Sequence, residues 1–257
     1  MQESELNFYD KIGNWDFSQI KYKSERLGNW EFFEKIKENT NEKSLCLDIG
    51  TGGGEKLLKK YPKVGMVIGT DFSAQMVETA RKNLESYPSK KVKFVQMDSY
   101  NMAFPKELFD LVSARHTVIE TKQIYEILKV GGILVVEGVD KKDCLEMKEL
   151  FGRGQGFKDD ISIAEKDYLE IKNAGFSEIE KVEILENEYY ETPEDLMALL
   201  IKTPILCNFS EFDENPNLVH PQIEKDLFEK YVSEYQTEKG ILLKRVSYGI
   251  IAKKIYT

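Results

Sequence analysis

The sequence predicts an α/β fold built on a doubly wound, mostly parallel sheet. Three observations carry this. Short apolar runs alternate with helix-period segments from about residue 44 to residue 140, the first run ends in a glycine turn, and the second ends in an acid. SLCLDI reads as the first strand, GEKLLKKY as a helix and GMVIGT as the second strand. SAQMVETARKNLESY is amphipathic, with Met76, Val77, Ala80 and Leu84 on one face and Ser73 as its N-cap. VKFVQM and FDLVSA read as the third and fourth strands. TKQIYEILKV follows as a helix stopped by Gly131 and Gly132, and GILVVEGV is the fifth strand.

Beyond Asp140, KKDCLEMKELFGRGQGFKDD reads as a polar, glycine-punctuated excursion between elements. ISIAEKDYLEIKNAGF predicts a helix ending at Gly175, and SEIEKVEILENEYY a strand. A further helix starts at Thr192, with Pro193 at its first position and acids behind it, and Pro204 ends it. IEKDLFEKYVSEY predicts another helix, and RVSYGIIAKK the last strand.

A chain of 257 residues holds one large α/β domain with an embellishment. Its formal charge of -9 weighs against a broad footprint on a phosphate backbone, because such binding relies on Lys and Arg displacing counterions. Nucleic acid is therefore a disfavoured partner. Cys46, Cys144 and Cys207 form no CxxC pair and His116 and His220 lie far apart, so neither a disulfide framework nor a metal site is expected. The N-terminus lacks a basic start followed by an apolar run, and no segment approaches a membrane span; a soluble, cytoplasmic protein is expected, of unspecified oligomeric state.

The segment LDIGTGGGE sets an acid, Asp48, at the end of an apolar strand and glycines, among them Gly50 and Gly52, at the strand-to-helix turn. Side chains there would block both the turn and a ligand's approach to backbone amides. By itself this also fits an ordinary βα turn or a dinucleotide site. Asp71, ending the next strand, stands at the separation that places a carboxylate beside a ribose. Asp48 suits a cationic amino-acid moiety better than a pyrophosphate, and the loop offers no Arg or Lys to a diphosphate. Met97-Asp98-Ser99 after the third strand supplies an acid and a hydroxyl suited to an adenine amino group, although Asp and Ser are also common in turns.

In order and spacing, LDIGTGGGE, TDFSAQMVETARKN, VQMDSYNMAFPKELFDLVSARH and LKVGGILVVEG resemble the successive motifs of the class I S-adenosylmethionine-dependent methyltransferase family. The resemblance implies a Rossmann-like, seven-stranded, mostly parallel sheet whose last two strands, SEIEKVEILENEYY and RVSYGIIAKK, are antiparallel. It implies S-adenosylmethionine as cofactor and S-adenosylhomocysteine as its product. Asp71 would bind the ribose, Asp98 and Ser99 the adenine edge, Phe72 a face of the adenine, and Asp48, Gly50 and Gly52 the methionine portion. One departure is a helical insertion from Thr192 to about Tyr235 between the final strands, which are joined directly in the minimal fold.

Methyl transfer is an in-line displacement that needs no metal, so positioning supplies most of the rate. His116, just after the fourth strand, is the first candidate for a general base, or equally a pocket-shaping residue; Glu120 and Glu137 are weaker candidates. Residues 1–43 are expected to form a helical, aromatic cap on a methyltransferase domain of residues 44–257, with insertion 192–235 as a substrate lid. In that cap Tyr9, Trp15, Phe17, Tyr22 and Trp30 cover the pocket or bury helices against the sheet, and Arg26 reaches the donor's carboxylate. Tyr9, Trp15, Arg153 and Tyr189 are the acceptor-binding candidates, with FGRGQGF as a mobile loop at the rim. The expected function is methyl transfer to a small molecule. RNA or protein methylation, a non-catalytic adenosine-binding domain and an NAD-dependent oxidoreductase are the alternatives.

Overall fold

Strand β2 (Leu45–Ile49) is the hub of the sheet, with parallel neighbours on both sides, in a computed structural model that describes residues 17–87, 91–207 and 223–255. To one side lie β3 (Met66–Asp71) and β4 (Val92–Gln96), and to the other β5 (Phe109–Arg115) and β6 (Leu128–Val139). β9 (Gly240–Lys253), antiparallel to β6, is followed by β7 (Ser177–Tyr190) and the edge strand β1 (Tyr22–Leu27); the two-residue β8 (Gln236–Thr237) pairs with β9. The order is β1-β7-β9-β6-β5-β2-β3-β4. It reverses direction at β2, and in such sheets ligands sit outside the carboxyl ends of the strands at the reversal.

Strand alternation sends successive side chains of β2, β5 and β6 to two different cores. On one face Leu47, Val112, Leu134 and Val136 pack with Ile124 of helix α4 (Thr121–Ile127) and Ile171 of helix α6 (Ile163–Asn173). On the other, Cys46, Leu111 and Val135 meet α1 (Phe32–Glu38), α2 (Glu55–Lys60) and α3 (Ala74–Ser86) through Ile36, Leu57, Val77 and Ala80. Ser73 caps α3 by accepting the Met76 N–H at 3.2 Å, as its position before the amphipathic run predicts.

The ends of β7 and β9 run on beyond this sandwich and carry a third core. Here Leu196, Leu199 and Leu200 of α7 (Pro193–Lys202) pack with Tyr190, Ile241 and Leu243, and with Phe228 and Tyr231 of α8 (Lys225–Tyr235). Thr192 accepts the Asp195 N–H at 3.1 Å and starts α7 as expected.

Four expectations need correction. The seven predicted strands are present, but β1 and β8 bring the sheet to nine strands among the described residues. β1 escapes prediction because YKSERL is an exposed edge with no apolar alternation; only its pairing with β7 reveals it. Residues 22–27 are thus sheet rather than part of a helical cap, while Tyr9 and Trp15 lie outside the described residues. Leu128 to Val130 belong to β6, since helix α4 stops at Ile127 and Leu128 pairs with Phe109 before a bulge. The polar excursion contains helix α5 (Leu145–Phe151), whose Met147 and Phe151 are buried in the third core.

Candidate functional site

A cleft of about 2420 Å3 opens at the carboxyl ends of β2, β3, β5 and β6, several times the volume that holds a drug-sized ligand. One wall is the turn Gly50 to Gly54, where Gly50, Gly52 and Gly54 all have positive φ (69°, 58° and 75°). A Cβ at Gly50 would lie 2.5 Å from the Thr117 side chain. The backbone N–H of Gly52 donates to Asp71 Oδ2 at 2.9 Å, and Ser73 N donates to Asp71 Oδ1 at 3.0 Å. Asp71 therefore ties the turn after β2 to the start of α3 while lining the cleft. Thr51 Oγ1 in the same turn is buried and interacts with the Asp48 carboxyl, which it helps to hold ionised.

Asp48 is 8% exposed and accepts from Ser113 Oγ at 2.6 Å, its register partner on β5. Burial pushes its carboxyl up to about 6. Phe72 is 37% exposed after β3, and Asp98 caps a turn after β4 by accepting the Tyr100 N–H at 2.9 Å. Ser99 is beside it, and neighbouring Tyr100 lines the cleft.

A second wall is the sheet extension. Period-two alternation turns Tyr22, Ser24 and Arg26 of β1 into the cleft beside their cross-strand partners Tyr190, Glu188 and Glu186 of β7. Tyr22 stacks on Tyr190 with ring centroids 5.3 Å apart. Arg245 of β9 pairs with Asp143 at 2.9 Å and Glu188 at 3.1 Å. Tyr189, one residue off this alternation, is absent from the cleft wall and bonds Glu25 at 3.3 Å instead. Of these two neighbours it is Tyr190 that lines the cleft.

Other candidates also hold partners of their own. Arg26 donates to the Trp30 carbonyl at 2.9 Å and pairs with Glu31 and Glu186, so its guanidinium is committed to the β1 corner rather than to a donor carboxylate. Arg153 grips Glu224 with two bonds of 2.9 and 2.8 Å, and Lys148 Nζ donates to the Gln155 carbonyl at 2.8 Å. These bonds pin FGRGQGF, so the loop is fastened at both its Arg and its Gln. Glu120 caps α4 by accepting the Lys122 N–H at 3.1 Å. Glu137, 2% exposed, accepts from Arg115 at 2.8 Å and from the Trp30 indole at 3.1 Å, which leaves it a structural ion rather than a free base.

His116 lines the cleft with its side chain 39% exposed and its backbone in the left-handed region at φ 53°. Its N–H donates to the Glu137 carbonyl at 2.8 Å, which holds this unusual conformation. Desolvation at the cleft wall, and then the cations Arg115 and Lys56, keep the imidazole well below the usual histidine range, although Glu137 Oε1 lies 3.8 Å from its Nε2. It is neutral at pH 7 and able to accept a proton.

Residues 46–132 match the family described as "Methyltransferase domain". This stretch spans β2 to β6 and contains the glycine turn, Asp71, Asp98 and His116. Over these residues the chain is similar to methyltransferases. The demethylmenaquinone methyltransferase of Lactococcus lactis is 30% identical over 135 residues, which cover 49% of this chain and 52% of that protein. The chain thus spans about half the length of that relative. The carboxy-S-adenosyl-L-methionine synthase of Helicobacter pylori is 22% identical over 188 residues, covering 66% of this chain and 77% of that protein. The crystal structure of the YcgJ protein from Bacillus subtilis superposes with a TM-score of 0.57 at 15% identity, over 87% of this chain and 97% of that one, a likeness of fold. The matched residues account for the wall of the cleft at the glycine turn. The wall built by β1, β7 and β9 lies outside them. Lys56 and Arg115, within the match, and Arg245, beyond it, line the cleft and went unnoticed in the sequence; for Lys56 the signal was there, in the lysine spacing of EKLLKK.

Proposed function

We propose that this chain transfers a methyl group from S-adenosylmethionine to a small-molecule acceptor in the cleft. The carrying observation is the Gly52–Asp71 bond, which fixes a ribose-binding carboxylate against a glycine turn at the reversal point of the sheet. Bound S-adenosylmethionine supplies a methyl group on a positively charged sulfur. Asp71 accepts the two ribose hydroxyls, Asp98 and Ser99 receive the adenine amino group, and Phe72 covers the ring. Asp48 faces the cationic amino-acid portion, while the open backbone at Gly50 and Gly52 lets it approach. His116, neutral and facing the cleft, takes the acceptor's proton where the acceptor carries one. The remaining walls orient the acceptor and limit water, which suffices for a displacement governed by positioning. The N-terminal segment and insertion 192–235 form the acceptor-side cap.

The small-molecule reading is supported by the net charge of -9 and by the named reaction of the Lactococcus relative. Calorimetry with S-adenosylhomocysteine, followed by transfer of labelled methyl into fractionated metabolites, tests it. No heat with S-adenosylhomocysteine, or label found only in RNA or protein, overturns it. The longer match to the carboxy-S-adenosyl-L-methionine synthase favours a second reading, in which the cofactor itself is modified. The mass of the cofactor recovered after turnover separates the two.

A further inference from the structure

Helix α2 begins directly after the glycine turn and reads EKLLKK. Lys56, Lys59 and Lys60 stand at i, i+3 and i+4, so they share one face with neighbouring Cβ atoms about 5–6 Å apart. All three line the cleft. The arginines of the sheet wall are each matched by carboxylates: Arg26 by Glu31 and Glu186, Arg115 by Glu137, and Arg245 by Asp143 and Glu188. The three lysines make no ion pair or side-chain hydrogen bond among the described residues. In a chain of net charge -9, this is a concentration of lysines held by no direct ion pair on the wall of the cleft, with Glu137 and Glu186 acting on Lys56 only at longer range.

Lys56 is electrostatically coupled to the imidazole. Desolvation at the cleft wall and the nearby Arg115 bring its ammonium down to about 8 against the opposing pull of Glu137 and Glu186, and its charge in turn depresses His116. The lysine face and the imidazole thus bound the same space. A planar carboxylate is best met by the fork of an arginine, and here those forks are occupied. Separate ammonium groups spread over one helical turn suit instead a compact group with several charged oxygens.

We propose that Lys56, Lys59 and Lys60, with His116 behind them, form the subsite for a phosphate group carried by the acceptor; this rests on the methyl-transfer reading above. The donor is held by the glycine turn and Asp71, which leaves the lysine face to the second substrate.

The chain has two histidines, so the ring resonances of His116 are readily assigned by NMR against a His116→Asn variant. Inorganic phosphate is titrated at constant ionic strength into the protein with and without saturating S-adenosylhomocysteine. With S-adenosylhomocysteine bound, phosphate should raise the titration midpoint of His116 by about half a pH unit or more, since an anion nearby favours the imidazolium. The triple variant Lys56→Gln, Lys59→Gln, Lys60→Gln should lose most of that response. Unmoved His116 resonances, or an undiminished response in the triple variant, overturn the proposal. So does a triple variant that binds S-adenosylhomocysteine tenfold more weakly and shows no phosphate response, because the lysines would then serve the donor. If S-adenosylhomocysteine itself fails to bind, the methyl-transfer reading falls, while the titration without it still decides whether the lysine face holds phosphate.

Discussion

Trp30 lays its indole across Gly249 and donates its N–H to Glu137 Oε2 at 3.1 Å, joining the segment before α1 to β6, the last parallel strand, and to its antiparallel neighbour β9. A Cβ at Gly249 would lie 2.3 Å from the ring, so glycine there makes the seat for the indole. Trp30→Phe should preserve much of the packing but leave a buried carboxylate oxygen short of a donor, costing about 1–3 kcal/mol. Trp30→Ala should cost more, about 3–5 kcal/mol. Urea denaturation of both variants checks the ranking, and equal losses would show that the hydrogen bond contributes nothing.

Asp71 holds two backbone N–H groups as well as facing the cleft. Asp71→Ala should weaken S-adenosylhomocysteine binding by about 1.5–3 kcal/mol for each charge-assisted bond lost, or more than tenfold overall. Calorimetry measures this directly, with circular dichroism confirming the fold. Unchanged affinity in a folded variant would remove Asp71 from the donor site.

The raised Asp48 carboxyl ties stability to pH. Its titration moves from the usual 3.8 to about 6 on folding, chiefly through burial. Between those values the folded protein binds more protons than the unfolded chain, so this group's contribution to stability falls as pH climbs from about 4 to 6 and stays low above. Asp48→Asn abolishes that penalty. Near pH 7.5 the variant should be more stable than the parent by up to about 3 kcal/mol, at 1.36 kcal/mol per tenfold change, and the gap should close near pH 4. It should also bind S-adenosylhomocysteine more weakly. Denaturant midpoints at the two pH values decide the matter, and a gap of equal size at both would refute the assignment.

His116 is neutral through the physiological range, since its ring titrates well below the ordinary 6.5. Turnover should therefore show no rise between about pH 6.5 and 8 attributable to this residue. Asn tolerates the left-handed backbone that His116 adopts, so His116→Asn tests the side chain with little strain. As proton acceptor its loss should lower kcat about 10²-fold or more while leaving S-adenosylhomocysteine affinity unchanged. Near-normal kcat would make it a wall of the pocket.

The donor half of the site was legible in the sequence because its determinants are local. Glycines with positive φ and acids at strand ends lie within a few residues of the turns they serve, so Asp48, Gly50, Gly52 and Asp71 meet at one place. The acceptor half is assembled from residues far apart in the chain. Arg26 faces Glu186, and Arg245 reaches back to Asp143, pairings that depend on the registers of β1, β7 and β9. No short-range pattern announces them. Tyr189 and Tyr190 show how fine the margin is: adjacent residues of a strand face opposite ways, and only the register tells which one enters the cleft.

Tyr190 and Ile241 are cross-strand partners, so the chain leaves the sheet for its helical insertion and returns to it at a single rung of the ladder. That rung is a natural splice point. The segment between is fastened to that rung by its own core, since Leu196, Leu199 and Leu200 pack on Tyr190, Ile241 and Leu243. A chimera that exchanges the segment together with these facing residues would keep the glycine turn and Asp71 untouched, and on the methyl-transfer reading it asks whether the insertion sets the choice of acceptor.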